Sequence, residues 1–113
     1  MQIIRDKITV EELREMSEKM FGNLVKAVVD IELEIMAIDA DMHVDEEQLL
    51  LDEGSEQKNL WGINFHPNNT PDEFLEFDSM INIRPKDGNK TRSVDAPEIR
   101  EKIKSIIAKL VIK

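Results

Sequence analysis

Residues 25–37 alternate with a period of two: Val25, Ala27, Val29, Ile31, Leu33, Ile35 and Ala37 are all apolar, and Lys26, Asp30, Glu32 and Glu34 fall between them. A strand sends successive side chains to opposite faces, whereas a helix would scatter those acids around its circumference. The run therefore predicts one long strand whose odd-numbered face is buried. Covering roughly five to seven aliphatic side chains on that face is worth about 1.5–3 kcal/mol each before conformational entropy is subtracted.

Helices are expected on either side of this strand. Thr9-Val10-Glu11-Glu12 has capping-box spacing, Ile8 and Leu13 stand where a hydrophobic staple would join them, and Val10, Leu13, Met16 and Met20 recur at helical intervals. Gly22-Asn23 supplies a stop for that helix. Near the other end, Asp95-Ala96-Pro97-Glu98 opens a helix with the apolar stripe Ile99, Ile103, Ile106, Ile107 and Leu110.

Between them, residues 41–51 read best as a second strand that turns back at Asp39-Ala40, although Asp45 to Leu51 also has helix propensity. Glu53-Gly54 is the next turn, followed by a third strand in which Trp61, Ile63 and Phe65 alternate with Leu60, Gly62 and Asn64. Residues 66–76 form a loop. Phe77, Ser79, Ile81 and Ile83 mark a fourth strand, which Pro85 ends. The expected architecture is α+β: a four-stranded antiparallel sheet with its strands in chain order, and the N- and C-terminal helices packed on one face.

At 113 residues the chain is expected to form a single domain over residues 1–113. No apolar run approaches the roughly 20 residues of a membrane span, and the first residues lack a secretory signal pattern. The absence of cysteine excludes disulfides and thiolate chemistry, so a soluble cytoplasmic protein is expected. The net charge of -9 is unevenly placed. Residues 30–56 hold eleven acids and no Lys or Arg, while residues 84–113 hold nine Lys or Arg against four acids. Such an acidic chain repels phosphate backbones, which disfavours nucleic acid as a partner, as does the shortage of aromatic residues.

Three further stretches stand out: His43-Val44-Asp45-Glu46-Glu47, then Gly54-Ser55-Glu56-Gln57 with Leu60-Trp61-Gly62, then Ile81-Asn82-Ile83-Arg84-Pro85 running on to Gly88-Asn89. In this order they resemble a family of small prokaryotic proteins classed as a domain of unknown function. The resemblance extends over nearly the whole chain. It implies a shared fold and a shared site, and brings no activity with it.

With a hairpin at Asp39-Ala40, the acids Glu32, Glu34, Asp45 and Glu47 would share the uncovered sheet face with His43 and Asn64. Opposed like charges destabilise a sheet unless something offsets them. A divalent metal held by Glu32, Glu34, His43, Asp45 and Glu47 would do so, as would a protonated carboxylate, pairing with Arg84, or simple solvation. The basic loop around Gly88-Asn89, with Arg84, Lys86, Lys90 and Arg92, has the donors to hold a small anion. Its lack of a Gly-Lys-Ser/Thr ending excludes a nucleotide P-loop. Trp61, the sole tryptophan, is expected in the core.

Two functions follow. The first is a binding module in which His43, Asp45, Glu47, Asn82, Arg84, Asn89 and Arg92 recognise a partner: a protein, a second copy of the chain, or a small anion. The second is a metal-assisted or acid–base hydrolase of a small anionic substrate.

Overall fold

The alternating run folds back on itself. The computed structural model describes residues 1–20 and 22–113, and in it the expected long strand is a hairpin of β3 (Val25–Asp30) and β4 (Ile35–Ile38). Asp30 makes the turn. Its Oδ1 accepts from the N–H groups of Glu32 (2.8 Å) and Leu33 (3.0 Å), and its carbonyl accepts from Glu34 N–H (2.9 Å). Glu34 takes the left-handed conformation, φ 57°, that closes the loop. A short acidic side chain that bonds to the amides after it favours a turn over continued strand.

The hairpin register pairs Ala27 with Ile38 and Val29 with Met36, so an odd residue of β3 faces an even residue of β4. The inward positions therefore change parity across the turn. Val25, Ala27, Val29, Met36 and Ile38 lie on one face, and Val28, Ile35 and Ala37 on the other. Both faces are buried, which corrects the expectation of a single covered face. The unbroken apolar run Ile35-Met36-Ala37-Ile38 is the pattern of a strand covered on both sides.

Ahead of the hairpin come β1 (Gln2–Ile4), β2 (Ile8–Thr9) and α1 (Val10–Glu18). The Thr9–Glu12 capping box is present: Glu12 N–H donates to Thr9 Oγ1 (3.0 Å), and Thr9 N–H to Glu12 Oε1 (3.1 Å). Helix α1 ends before the expected stop, and Gly22 and Asn23 take positive φ in the connection that follows. After β4 the chain turns at Asp39 and enters α2 (His43–Asp52), which corrects the expected second strand. Glu53-Gly54 is accordingly the exit of a helix rather than a hairpin turn, with Gly54 at φ 105°.

Then follow β5 (Leu60–Phe65), β6 (Leu75–Glu76), α3 (Pro97–Leu110) and β7 (Val111–Ile112). The main sheet has five antiparallel strands in the order β1-β4-β3-β5-β6, and β2 pairs with β7 in a separate parallel two-stranded sheet. Four strands in chain order is therefore corrected to five with the N-terminal strand beside β4. The helices do not share one face. Leu13 of α1 and Ile103, Ile106 and Leu110 of α3 pack with Val25, Ala27 and Val29, while Leu50 of α2 packs with Val28, Ala37 and Leu60 on the reverse.

The expected fourth strand is absent as well. Residues 80–82 form a 3-10 turn and residues 85–87 another, the second enclosed by a bridge between Arg84 and Asn89.

Candidate functional site

Asn82, Arg84 and Asn89, three of the expected binding residues, converge on the edge of β5 and are consumed there. The Asn82 carboxamide takes the place of a neighbouring strand: Gly62 N–H donates to Asn82 Oδ1 (2.8 Å), and Asn82 Nδ2 donates to the carbonyls of Gly62 (2.9 Å) and Arg92 (3.0 Å). A side chain at position 62 would prevent this approach, because a Cβ there would lie 2.4 Å from Ser79 Cβ. Asn89 Nδ2 donates to the carbonyls of Asn82 (2.7 Å), Thr91 (3.1 Å) and Ser93 (2.8 Å), and its Oδ1 accepts from Asp95 N–H (2.7 Å). Arg84 donates to the carbonyls of Gln57 and Leu60, both at 2.8 Å, with its guanidinium 3.9 Å from the centre of the Trp61 ring. Partial burial lowers the Arg84 pKa, against the favourable charges of Asp87 and Glu47. This cluster ties an irregular segment to an open sheet edge. Trp61 is buried in the core, as expected.

The basic loop is filled from within. Asp95 accepts from Lys90 N–H (2.7 Å) and the Thr91 hydroxyl (2.5 Å), bonds that hold its carboxyl below the usual range. Arg92 is engaged by Asp78 (2.6 Å).

His43, Asp45 and Glu47 lie on α2 rather than a strand, so the pleat that would align them does not exist. Asp45 is exposed and Glu47 is half-buried near Arg84. His43 Nε2 is 2.8 Å from the Ile63 carbonyl and therefore carries its proton there. Burial is the main reason its pKa falls below the ordinary value, with Lys26 adding to the shift and the Ile63 carbonyl, Asn64 and Asp78 opposing it. Asn64 Nδ2 donates to Glu76 Oε1 (2.9 Å) and to the Asp78 carbonyl (3.1 Å), and His66 Nε2 reaches the same Glu76 oxygen at 3.0 Å.

The residue that sequence reasoning missed is Glu46, which is fully buried between α2 and the sheet. Its Oε2 accepts from Ala40 N–H (3.1 Å), its Oε1 has no hydrogen-bond partner, and burial pushes its pKa up to about 9. Helical spacing would have found it, since Glu46 and Leu50 share the inward side of α2.

Glu32 and Glu34 sit in the 31–34 turn, and Glu34 reaches α3 on the sheet face opposite α2. The five residues considered as metal ligands are thus dispersed, and among the described residues no three His, Asp or Glu side chains gather at metal-binding spacing. Glu34 meets cations instead. Its carboxylate pairs with Lys109 and, at 3.4 Å, with Lys102, and these bonds lower its pKa. The pair forms part of the wall of a cleft of about 710 Å3 that is also lined by Arg5, Asp6, Lys7 and Glu32.

A family model described as a protein of unknown function (DUF5674) matches residues 2–110. The chain belongs to the DUF5674 family. No curated protein and no solved structure matches it. The family match takes in every element of this DUF5674 chain except β7. No helix among its described residues is long and apolar enough to cross a membrane.

Proposed function

We propose that this DUF5674 chain is a binding module that receives a small anionic ligand in the cleft between the 31–34 turn, the β1–β2 connection and the end of α3. The supporting observation is the Glu34 carboxylate seated on Lys102 and Lys109 at the cleft wall, with Arg5 and Lys7 also lining the cleft. A carboxylate of the chain itself marks a position where a ligand's anionic group gains charge-assisted hydrogen bonds. Asp6 and Glu32 line the same cleft, which suits a ligand carrying a donor beside its anionic group. The basic loop is the poorer location, because Asp95 already takes two of its donors.

Calorimetric titration of the full chain with acetate and with inorganic phosphate tests the reading. Saturable binding is expected. It should be lost in the Lys7→Glu/Lys109→Glu double variant and retained in Lys86→Glu/Lys90→Glu. Loss in the loop variant with retention in the cleft variant would refute it, and a matched Lys7→Gln/Lys109→Gln protein with wild-type thermal midpoint controls for folding.

A further inference from the structure

The charged cleft holds both signs, and part of its charge has no partner in the chain. Of its lining, Glu34 is taken by Lys102 and Lys109, and Arg5 reaches Glu53 at 3.5 Å. The remaining charged residues of the lining are Asp6, Lys7 and Glu32, all exposed, and among the described residues none of them forms an ion pair. A simple anion there is attracted by Lys7 and Lys109 and repelled by Asp6 and Glu32, and a simple cation meets the reverse. A molecule carrying both charges gains from all four. The backbone under Glu32 is fixed, because Asp30 Oδ1 accepts from the N–H groups of Glu32 and Leu33. Leu33 and Ile112, 55% and 38% exposed, add apolar wall to the same cleft.

From this pattern we infer that the ligand is a zwitterion of the free α-amino-acid class with an aliphatic side chain, its carboxylate placed on Lys7 and Lys109, its ammonium on Asp6 and Glu32, and its side chain against Leu33 and Ile112. The inference rests on the anion-binding reading above and adds the ligand's second charge and its apolar part. Glu34 does not block it: with two lysine partners, it keeps Lys102 when Lys109 turns to the ligand. Exposed ion pairs are weak, so such an exchange costs little.

The test is calorimetry on the full chain with leucine, isocaproate, glycine, isopentylamine and acetate. Isocaproate is leucine without its ammonium group, and leucine is expected to bind about three- to tenfold more tightly, since two exposed ion pairs give a factor of that order. Glycine, which lacks the side chain, should bind at least about threefold more weakly than leucine. In Asp6→Asn/Glu32→Gln, leucine should fall to the affinity of isocaproate. Equal binding of leucine and isocaproate by the wild type, or a preference for leucine that survives in the double variant, would overturn the zwitterion and, with acetate still bound, leave the anion site standing. Equal binding of leucine and glycine would overturn the aliphatic side chain. Isopentylamine binding as tightly as leucine would remove the carboxylate seat, and no binding of any of the five would remove both readings.

Discussion

Arg84 and Lys109 are both cations with partners inside the chain, and the chain uses them in different ways. Arg84 is turned onto two backbone carbonyls and an indole ring, inside a network in which Asn82 and Asn89 bond to backbone groups of Gly62, Asn82, Thr91, Arg92, Ser93 and Asp95. Lys109 remains 64% exposed at the wall of a cleft and pairs with a carboxylate of the 31–34 turn. Where polar side chains stand in for absent strands, they are committed to architecture, because an unmade buried backbone hydrogen bond is costly. Where they meet each other at the surface, the pairing is weak and a ligand can exchange with it.

The largest effect should come from breaking the architectural region. Asn82→Ala removes three hydrogen bonds and strands both backbone groups of Gly62. A loss of about 4 kcal/mol is expected in urea denaturation, and a loss below about 1 kcal/mol would show that the segment is not held this way.

Glu46 comes next and carries a pH signature. An acid whose folded pKa is about 9, against an ordinary 4.5, binds more protons folded than unfolded between those values. Stability therefore falls as pH rises from about 4.5 to about 9. Glu46→Gln removes the titration, so it should stabilise the protein on the order of 3 kcal/mol at pH 7 relative to its effect at pH 4. Parallel pH profiles for the two proteins, from chemical denaturation, would contradict the buried acid.

Arg84→Lys keeps the charge and loses the planar fork, so about 1–2 kcal/mol should be lost, with increased exposure in Trp61 emission. Retention of full stability would mean that charge alone suffices there. The smallest change in stability belongs to Glu34→Gln. Its thermal midpoint should stay at the wild-type value while acetate binds severalfold more tightly, because the internal competitor for Lys102 and Lys109 is weakened. Unchanged acetate affinity would mean that Glu34 does not compete for the site.

The legible parts of the fold were local. Thr9 to Glu12 announced α1, Pro97 and the isoleucine stripe announced α3, and the alternation of Leu60 to Phe65 announced β5. Each signal lies within a few residues of the element it specifies. The misreadings had one local source and one distant in sequence. Alternation through residues 31–34 concealed a turn that Asp30 closes with its own side chain. The segment 43–51 became a helix because the reverse face of the sheet needed a cover, a requirement invisible until β3 and β4 were known to be buried on both sides. The site suffered most, since its proposed face depended on the strand that did not form. Asn82, Arg84 and Asn89 were singled out as binding residues, and their donors point at backbone rather than outward.

By itself, then, the sequence determined which segments carry helix caps, which alternate, and where charge accumulates, because those properties depend on neighbours along the chain. Only the tertiary structure decided that β3 and β4 have two buried faces, that Asn82 completes the edge of β5, and that Glu34 meets Lys102 and Lys109. Those outcomes depend on pairs many residues apart, whose contact energies exist only once the sheet register has brought them together.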